Sequence, residues 1–329
     1  MPKLGESKYM EERHFLPKYL VIIFLGILAL VGVGIWQKTT HRATPKVLGA
    51  TSERSVPTRA PIVKFMNPPQ PVADIKNPNL GAKNVILLDN ATKNILYSQS
   101  QYDIVPIASL TKIMTAVLVL DHNKMDEVVT MTSEDVKVIG SNLGFVPGEQ
   151  IKVIDLMRAL LIQSSNEAAN ALARVTAGSV PAFAEQMNAR AEEMNLNKTH
   201  YDDPHGLSAQ SVSTAYEQAI LFSYALNYPQ FKEIIGTAQT TVTSVDGRVH
   251  TLKNSNRLIT DEMRYDGMTG GKTGYTPEAG HCLVTAATRN NHTIISVILN
   301  TASPLNTASA VETKKLLDWG FASYTWPLN

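Results

Sequence analysis

Cysteine is nearly absent from this sequence, and neither sign of charge is in excess. The one cysteine, Cys282, cannot close an intrachain disulfide and cannot supply the several thiolates of a structural zinc site. Lysine and arginine together number 30 and aspartate and glutamate 29, so the formal net charge is +1 and no basic excess is available for a run of phosphates. These shortages exclude a disulfide framework and a thiolate zinc site, and they predict that nucleic acid is not a partner.

Apolar residues, by contrast, are plentiful. Of the 329 residues, 44% are hydrophobic and only 18% are charged, which is typical of a globular chain. The length is sufficient for one large domain or two ordinary ones. Because Cys282 lies in an apolar stretch, we expect it to be a core residue and not a redox centre.

An uncharged, strongly apolar run of 18 residues, Tyr19–Trp36, lies near the N-terminus. As a helix it is just long enough to cross a bilayer, so we predict a transmembrane signal anchor preceded by a tail of residues 1–18. A cleavable signal peptide is the alternative, but the run ends in Ile35-Trp36-Gln37-Lys38, which lacks a small-x-small cleavage site. Basic residues flank the run equally on both sides, so charge counting alone leaves its orientation open.

The composition changes after this run and again at residue 81. Residues 37–80 contain seven prolines and few periodic apolar residues. Proline favours extended segments and removes backbone donors, so we predict a semi-rigid linker. Residues 81–329 are predicted to form the globular domain.

The globular part alternates between strand and helix patterns. Short β-branched runs predict a hairpin at 84–88 and 95–97 and two more strands at 281–288 and 293–299, while apolar periodicity predicts helices at 107–120, 155–161, 167–175, 181–194, 214–226 and 308–321. Strands at both ends of the domain imply one shared sheet, with a mostly helical region inserted between them. The predicted fold class is α/β, a mixed antiparallel sheet flanked by helices plus a mostly helical subdomain.

Ser109 and Lys112 stand three residues apart in a helix that is apolar nearly all round. Positions i and i+3 share a helix face, so the lysine amine can reach the serine hydroxyl. A lysine can take that proton when burial or nearby positive charge lowers its pKa. The pair alone is a weak signal, because a helix N-cap followed by a surface lysine has the same spacing. A lysine within an apolar helix nevertheless indicates function, since an unpaired buried charge is costly.

Two further elements follow in chain order, Ser164-Ser165-Asn166 and Lys272-Thr273-Gly274. Seen alone, Ser-x-Asn is usually a helix cap and Lys-Thr-Gly is usually a turn. Together with Ser109-Leu-Thr-Lys112 they match the S-x-x-K, S-x-N and K-T-G set of penicillin-binding proteins and serine β-lactamases. The complete set is far more specific than any one member.

Longer stretches around the motifs narrow this resemblance. They are Pro106-Ile-Ala-Ser-Leu-Thr-Lys-Ile-Met-Thr-Ala116, Pro147-Gly-Glu149, Leu161-Ile-Gln-Ser164, Asp203-Pro-His-Gly-Leu207, Gly270-Gly-Lys-Thr-Gly-Tyr-Thr276 and Lys314-Lys-Leu-Leu-Asp-Trp-Gly-Phe321. Over residues 81–326 the sequence closely resembles the low-molecular-mass D-alanyl-D-alanine carboxypeptidases. It departs from their usual pattern at three positions, with Ser165 and Asn195 in place of glycine and Glu217 in place of aspartate.

The resemblance implies a serine-type carboxypeptidase that removes the terminal D-alanine from peptidoglycan stem peptides. Ser109 would then be the nucleophile, Lys112 its base, and Ser164 a proton relay to the leaving amine. Asn166, Lys272 and Thr273 would bind substrate, with Gly274 and Tyr275 completing this group. Backbone N–H groups of Ser109 and Tyr275 would form the oxyanion hole, because we expect Ser109 at a helix start and Tyr275 on a strand that follows a turn at Gly274.

The same resemblance implies other properties of the site and its location. β-Lactams would acylate Ser109 as covalent inhibitors, and no metal or cofactor is expected. Lys112 lies in an apolar helix, and the resemblance places it close to Lys272. Its pKa is therefore predicted to be well below ~10.4, the ordinary value for lysine. Stem peptides lie outside the cytoplasmic membrane, so we expect a single-pass bacterial membrane protein with an extracytoplasmic catalytic domain. Many relatives add a small β-rich domain and an amphipathic membrane helix at the C-terminus, and the N-terminal span would replace that anchor.

Three alternative functions have partial support in the sequence. A class A-like β-lactamase needs a glutamate for deacylation, and Glu193-Met-Asn-Leu-Asn197 fits the E-x-x-L-N pattern that supplies it. This segment, however, leads directly into the stretch ending in Asp203-Pro-His-Gly-Leu207, which resembles the carboxypeptidases. A phosphate-binding P-loop at Gly271-Lys272-Thr273 fails because Asp266 occupies the required glycine position. An inactive peptidoglycan-binding scaffold is disfavoured by the intact Ser109, Lys112, Ser164 and Lys272.

Overall fold

The computed structural model describes residues 67–73, 75–260 and 263–327. The predicted N-terminal tail, the predicted transmembrane segment and most of the predicted linker lie outside these described residues. Within the described part of the chain, no helix is both long enough and apolar enough to cross a membrane.

Strands at the two ends of the described chain enclose a central helical region. The strands are β1 (Gln70–Pro71), β2 (Asn84–Asp89), β3 (Ile95–Gln99), β4 (Val105–Pro106), β5 (Val128–Thr130), β6 (Gln150–Lys152), β7 (Val212–Ser213), β8 (Gln239–Thr243), β9 (Val249–Lys253), β10 (Met268–Thr276), β11 (Gly280–Arg289), β12 (His292–Thr301) and β13 (Tyr324–Thr325). The α-helices are α1 (Lys112–His122), α2 (Ser133–Val136), α3 (Val153–Arg158), α4 (Asn166–Ala177), α5 (Val180–Glu193), α6 (Ala215–Ala225), α7 (Pro229–Gly236) and α8 (Ala308–Ser323). A 3₁₀ turn, Ala108–Thr111, precedes α1, and a π-helical turn, Ala159–Gln163, follows α3.

The principal sheet has five antiparallel strands in the order β10-β11-β12-β2-β3. All six residues of β2 are buried, because helices cover both faces of the sheet. Alternate residues serve the two faces: Val85 and Leu87 pack in a cluster with Leu316 and Leu317 of α8. Ile86 and Leu88 belong to the larger core of the helical region. The mixed α/β architecture with an antiparallel sheet, predicted from the sequence, is thus present.

Helix α1 is the centre of the helical region, with every residue from Lys112 to Leu120 buried. It contacts α4, α5 and α6, which enclose it on several sides. A helix that is apolar all round is stable only in such surroundings. The 3₁₀ turn Ala108–Thr111, which leads into α1, lies beside β10, so the approach to the buried helix and the edge of the sheet are brought together.

The end of the predicted linker packs against the far end of the chain. Gln70 and Pro71 pair antiparallel with Thr325 and Tyr324. The backbone N–H of Val72 donates to the carbonyl oxygen of Ser323 at 2.9 Å. The described linker residues therefore extend the ordered contacts of the domain before residue 81.

Some local features of the structure differ from the prediction or were not predicted. Gly274 was predicted to stand at a turn, which is wrong, because it lies inside the nine-residue strand β10. The hairpin of β8 and β9 was not predicted at all. Both segments are rich in glycine, threonine or charged residues, so neither shows the continuous apolar run that marks a buried strand.

Candidate active site

Ser109 lies in the 3₁₀ turn that connects β4 to α1. The preceding residue, Ala108, has a left-handed backbone with φ of 47°, which is uncommon for a residue with a side chain. This sharp entry sets Ser109 at the start of the buried helix, one turn before Lys112. The Nζ atom of Lys112 lies 3.0 Å from the Oγ atom of Ser109. The predicted nucleophile and base are therefore within hydrogen-bond distance.

Lys112 is fully buried and meets polar partners on every side of its amine. Its Nζ donates to Oδ1 of Asn166 at 2.7 Å and to the carbonyl oxygen of His205 at 2.8 Å. Burial lowers the pKa of Lys112 well below its ordinary value, and the nearby Lys272 ammonium lowers it further. The direction agrees with the sequence-based prediction, and it favours the neutral amine that a base requires.

Ser164 owes its position to an unusual backbone. It follows the π-helical turn and has a left-handed conformation with φ of 65°. Its Oγ accepts a hydrogen bond from Nζ of Lys272 at 2.9 Å, and that amine also donates to the carbonyl oxygen of Thr273 at 2.8 Å. Burial lowers the pKa of Lys272 to about 7. The charged and neutral forms of this lysine are therefore both populated near neutral pH.

Asn166 is the first residue of α4 and connects the base to a neighbouring loop. Its Oδ1 accepts from Lys112, while its Nδ2 donates to the carbonyl oxygen of Ile139 at 2.7 Å. Its backbone N–H donates to the carbonyl oxygen of Ser141 at 2.8 Å. Ser165 caps the helix, because its Oγ accepts a hydrogen bond from the backbone N–H of Ala168.

Strand β10 forms the opposite wall of the site. It is an edge strand of the five-stranded sheet, so its outer side faces the turn that carries Ser109. Gly274 lies at the closest approach, where an added Cβ would stand 3.0 Å from the backbone nitrogen of Ser109 and 3.1 Å from the carbonyl oxygen of Ile107. Only glycine fits there without displacing the turn. Tyr275 is 59% exposed and stacks on His281.

The two walls enclose a cleft of about 590 Å³. Ser109, Ser164, Thr273, Gly274 and Tyr275 line it, so these five predicted site residues meet at one surface. The other three, Lys112, Asn166 and Lys272, are buried. Hydrogen bonds of 2.7 to 3.0 Å join each of these three to a serine hydroxyl of the cleft or to another of the three. All eight predicted site residues therefore belong to one contiguous arrangement.

The sequence and the fold of the chain are similar to those of known proteins. The family described as D-alanyl-D-alanine carboxypeptidase matches residues 71–303, which is more than half of the chain. The chain belongs to this family.

Individual relatives in and around this family are similar to the chain at about one third identity. It is 32% identical over 254 residues to D-alanyl-D-alanine carboxypeptidase DacF of Bacillus subtilis, covering 75% of this chain but 64% of that relative. It is 36% identical over 225 residues to a D-alanyl-D-alanine endopeptidase of Pseudomonas aeruginosa, covering 67% of this chain and 72% of that relative. The chain thus spans somewhat less than two thirds of the length of the first of these relatives.

The fold is also similar to a solved enzyme structure. The crystal structure of the Streptomyces K15 DD-transpeptidase superposes with a TM-score of 0.71 at 29% identity, covering 75% of this chain and 100% of that one. The chain therefore shares the architecture of an antiparallel sheet with an inserted helical region with that enzyme.

The turn Asp203–Ser208 also contributes to the site, although the sequence analysis assigned no role to its residues. In the turn Asp203–Ser208, the Asp203 carboxylate accepts backbone N–H groups of His205 at 2.9 Å and Ser208 at 2.7 Å, as well as that of Gly206. Burial alone would raise the pKa of Asp203, but hydrogen bonds from His205 and the backbone lower it to about 2. The turn thereby holds the carbonyl oxygen of His205 against Lys112.

A contact made by a backbone carbonyl oxygen, such as that of His205, does not depend on the residue type and so cannot be recognised in the sequence. The only available signal was the Asp-Pro-His-Gly spacing, in which the aspartate precedes the N–H groups that it can cap by two to five residues. Gly206, with φ of 81°, also allows the turn to contact the carbonyl of Ala108, where a Cβ could not fit.

Proposed function

We propose that the chain is a serine-type D-Ala-D-Ala carboxypeptidase that removes the terminal D-alanine from peptidoglycan stem peptides through an acyl-enzyme on Ser109. The principal supporting observation is the fully buried Lys112 amine, 3.0 Å from the Ser109 hydroxyl. A buried lysine with a lowered pKa can take the proton of a neighbouring serine and so activate that serine as a nucleophile, whereas a purely structural lysine would be paired with a carboxylate.

Acylation follows from the positions of these groups. The Ser109 hydroxyl gives its proton to the neutral Lys112 amine, and its Oγ attacks the carbonyl carbon of the penultimate D-alanine. The developing oxyanion is stabilised by the backbone N–H groups of Ser109 and Tyr275, which are typically worth ~2.7–4 kcal/mol per donor. The C–N bond then breaks, and Ser164 passes a proton to the leaving amine of D-alanine while its Oγ receives one from Lys272. Water later attacks the Ser109 ester and gives its proton through Ser164 back to Lys272. Lys112 returns its proton to the Oγ of Ser109, and the shortened peptide is released.

Lys272 has a second function in this proposal. With a pKa of about 7, it is only partly charged in the empty cleft near neutral pH. The terminal carboxylate of the substrate would favour its charged form, because an opposite charge nearby raises the pKa of a lysine. Binding of the substrate would therefore complete the positive charge that attracts it and that keeps Lys112 neutral.

The direct test is mass spectrometry of a synthetic stem peptide ending in D-Ala-D-Ala after incubation with the protein. We expect the loss of one alanine, and no loss with Ser109→Ala. Loss of alanine that persists in this variant would contradict the mechanism, and no loss with the wild-type protein would contradict the proposed substrate.

A labelled penicillin separates the carboxypeptidase from the β-lactamase alternative. We expect a stable covalent adduct on Ser109, because Glu193 lies at the end of α5 and its carboxylate pairs with Arg190 at 2.9 Å. Rapid turnover of the penicillin without accumulation of the adduct would favour the lactamase.

An endopeptidase is the second candidate function. The 36% identity to the Pseudomonas aeruginosa protein, named for that activity, and the 72% coverage of its length favour it. An endopeptidase would cleave a D-Ala bond within a peptide crosslink, with the same acyl-enzyme chemistry but a longer leaving group. Incubation with a crosslinked stem-peptide dimer, compared with the monomer, distinguishes the two activities.

We also propose that residues 19–36 anchor the protein in the bacterial cytoplasmic membrane, with the catalytic domain outside. The apolar character of this run and the extracytoplasmic position of uncrosslinked stem peptides support this topology. Protease treatment of intact spheroplasts is expected to digest the catalytic domain. Protection from the protease until the membrane is lysed would contradict the orientation.

A further inference from the structure

Gln163 lies between the two walls of the cleft, next to Ser164, and belongs to none of the three motifs. It is the last residue of the π-helical turn and lines the cleft. Its side-chain Oε1 accepts the backbone N–H of Lys253 at 3.0 Å, and its carbonyl oxygen accepts the hydroxyl of Ser141 at 3.0 Å. Gln163 therefore joins the helical wall, the loop beside it and the end of β9.

The segment held by Gln163 continues directly to the sheet wall. Two residues after Lys253, the N–H of Ser255 donates to the carbonyl oxygen of Ile162 at 3.2 Å. The hydroxyl of Ser255 is 2.6 Å from the hydroxyl of Thr273 on β10. An uninterrupted series of contacts thus runs from the residue before Ser164 to the residue after Lys272.

This series is a second connection parallel to the hydrogen bond between Lys272 and Ser164. Ser164 has a left-handed backbone, so its hydroxyl direction depends on how the turn before it is held. The π-helical turn departs from the ordinary helical hydrogen-bond pattern, and such turns are frequent at functional sites. The Gln163 side chain connects the end of this turn to β9.

We propose that Gln163 is a positioning residue, which fixes the separation between Ser164 and the Lys272-Thr273 segment by holding the end of β9. This inference rests on the proposed function, because it concerns the acylation chemistry of the same cleft. Displacing reacting groups by a fraction of an ångström to about 1 Å costs up to about 100-fold in rate, whereas substrate binding along β10 is affected less.

The test is the variant Gln163→Met, which keeps the length and approximate volume of the side chain but removes the acceptor. We expect kcat for the stem peptide and the rate constant of penicillin acylation to fall about tenfold, with KM within about twofold of the wild type. Gln163→Glu retains an acceptor and should restore most of the rate at high pH. Its added carboxylate should move the acidic limb of the pH profile upward, because negative charge raises the pKa of a lysine. The matched control is Gln239→Met, an exposed glutamine opposite Lys253 in β8, which should leave all constants unchanged.

A double-mutant cycle with Ser255→Ala separates positioning from general loss of structure. If both residues act through the same segment, the combined loss should be close to that of the larger single loss, not the product of the two. Multiplicative losses, an unchanged kcat in Gln163→Met, or a fall in kcat that simply follows a lower unfolding temperature would overturn this inference. A wild-type protein that neither hydrolyses the peptide nor reacts with penicillin would instead overturn the proposed function, so the two failures are distinguishable.

Discussion

At the scale of single residues, the site depends on two lysines kept out of water. Lys112 and Lys272 are fully buried, and burial lowers the pKa of both. Burying an ammonium group costs free energy. Two buried lysines therefore indicate a site that uses the neutral amine of one lysine or the positive charge of the other. The proposed reaction uses both.

The coupling of the two lysines predicts a shift in the pH profile. Lys112 must be neutral to act as base, and the Lys272 charge helps to keep it neutral by lowering its pKa. In Lys272→Gln the pKa of Lys112 should rise, so the acidic limb of the acylation rate should move to higher pH, in addition to a lower maximum rate. The measurement is the rate of labelling by a penicillin as a function of pH. Lys232→Gln, at an exposed position in α7, is the control for a change in net charge. An acidic limb that stays in place in Lys272→Gln would contradict the coupling.

Gly274 gives a second prediction at this scale. A methyl group here would stand 3.0 Å from the backbone nitrogen of Ser109, one of the two proposed oxyanion donors. We expect Gly274→Ala to lower the acylation rate about 10- to 100-fold, because the turn must shift and the donor moves with it. The rate constant for penicillin labelling and the unfolding temperature should both be measured. In Gly81→Ala the nearest atom would be 3.8 Å away, so this control should retain the wild-type rate. Equal rates for the two variants would refute the role of the close approach.

Most residues of the site could be predicted because their side chains carry the chemistry. Ser109, Lys112, Ser164 and Lys272 have a recognisable spacing and order, and they meet in one cleft. Contacts made by the backbone could not be predicted in this way. The carbonyl oxygen of His205, for example, could belong to any residue type, and its position depends on the whole turn around it.

At the scale of elements, the turn Asp203–Ser208 shows how a polar residue can hold such a backbone atom. Its carboxylate accepts several backbone N–H groups and lies 3.1 Å from the Nδ1 atom of His205. These interactions favour the charged form and lower the pKa of Asp203 to about 2, from an ordinary value of 3.8. The turn is therefore stabilised by ionised Asp203.

This lowered pKa predicts the direction of a stability change with pH. Because the folded pKa is depressed, the stabilisation is fully present above the ordinary value of 3.8 and is lost as the pH falls toward about 2. At pH 7, Asp203→Asn should lower the free energy of unfolding by about 2 kcal/mol, since one pKa unit corresponds to about 1.4 kcal/mol. Urea unfolding at several pH values between 7 and 3 measures this. The difference between the two proteins should narrow in the acidic part of the range. A difference that is constant with pH would show that the charge is not its cause.

Elements were predictable where the apolar pattern was strong and not where glycine replaced it. The strands β2, β11 and β12 and the buried helix α1 follow from runs of apolar residues. Strand β10 contains Thr-Gly-Gly-Lys-Thr-Gly, which resembles a turn when read alone, and tertiary packing overrides this preference. Its glycines are needed for close approach: a Cβ at Gly271 would stand 2.4 Å from the carbonyl oxygen of Val284. The π-helical turn before Ser164 likewise has no distinguishing sequence pattern.

At the scale of the whole molecule, the principal sheet combines the two ends of the chain. Strands β2 and β3 come from the beginning of the domain, and β10, β11 and β12 come from its end. The strand patterns at both ends predicted this arrangement, because a central helical insertion leaves the terminal strands to pair with one another. The contacts of residues 67–73 and 75–80 were not predictable, since these residues have the composition of a linker and their partners in α8 and β13 are distant in the sequence.

These contacts predict that residues 67–80 contribute to the stability of the domain. Besides the pairing of β1 with β13, the indole N–H of Trp319 donates to the carbonyl oxygen of Lys76 at 2.7 Å, and the N–H of Val72 donates to Ser323. At about 0.5–1.5 kcal/mol for each hydrogen bond, a fragment of residues 81–329 should be about 2 to 4 kcal/mol less stable than one of residues 67–329. Urea unfolding of the two fragments measures this difference. Both should react with penicillin at the same rate when folded, because none of the described residues before 81 lines the Ser109 cleft. Equal unfolding midpoints would show that the contacts of residues 67–80 contribute nothing to stability, and a slower reaction of the shorter fragment would show that these residues also support the cleft.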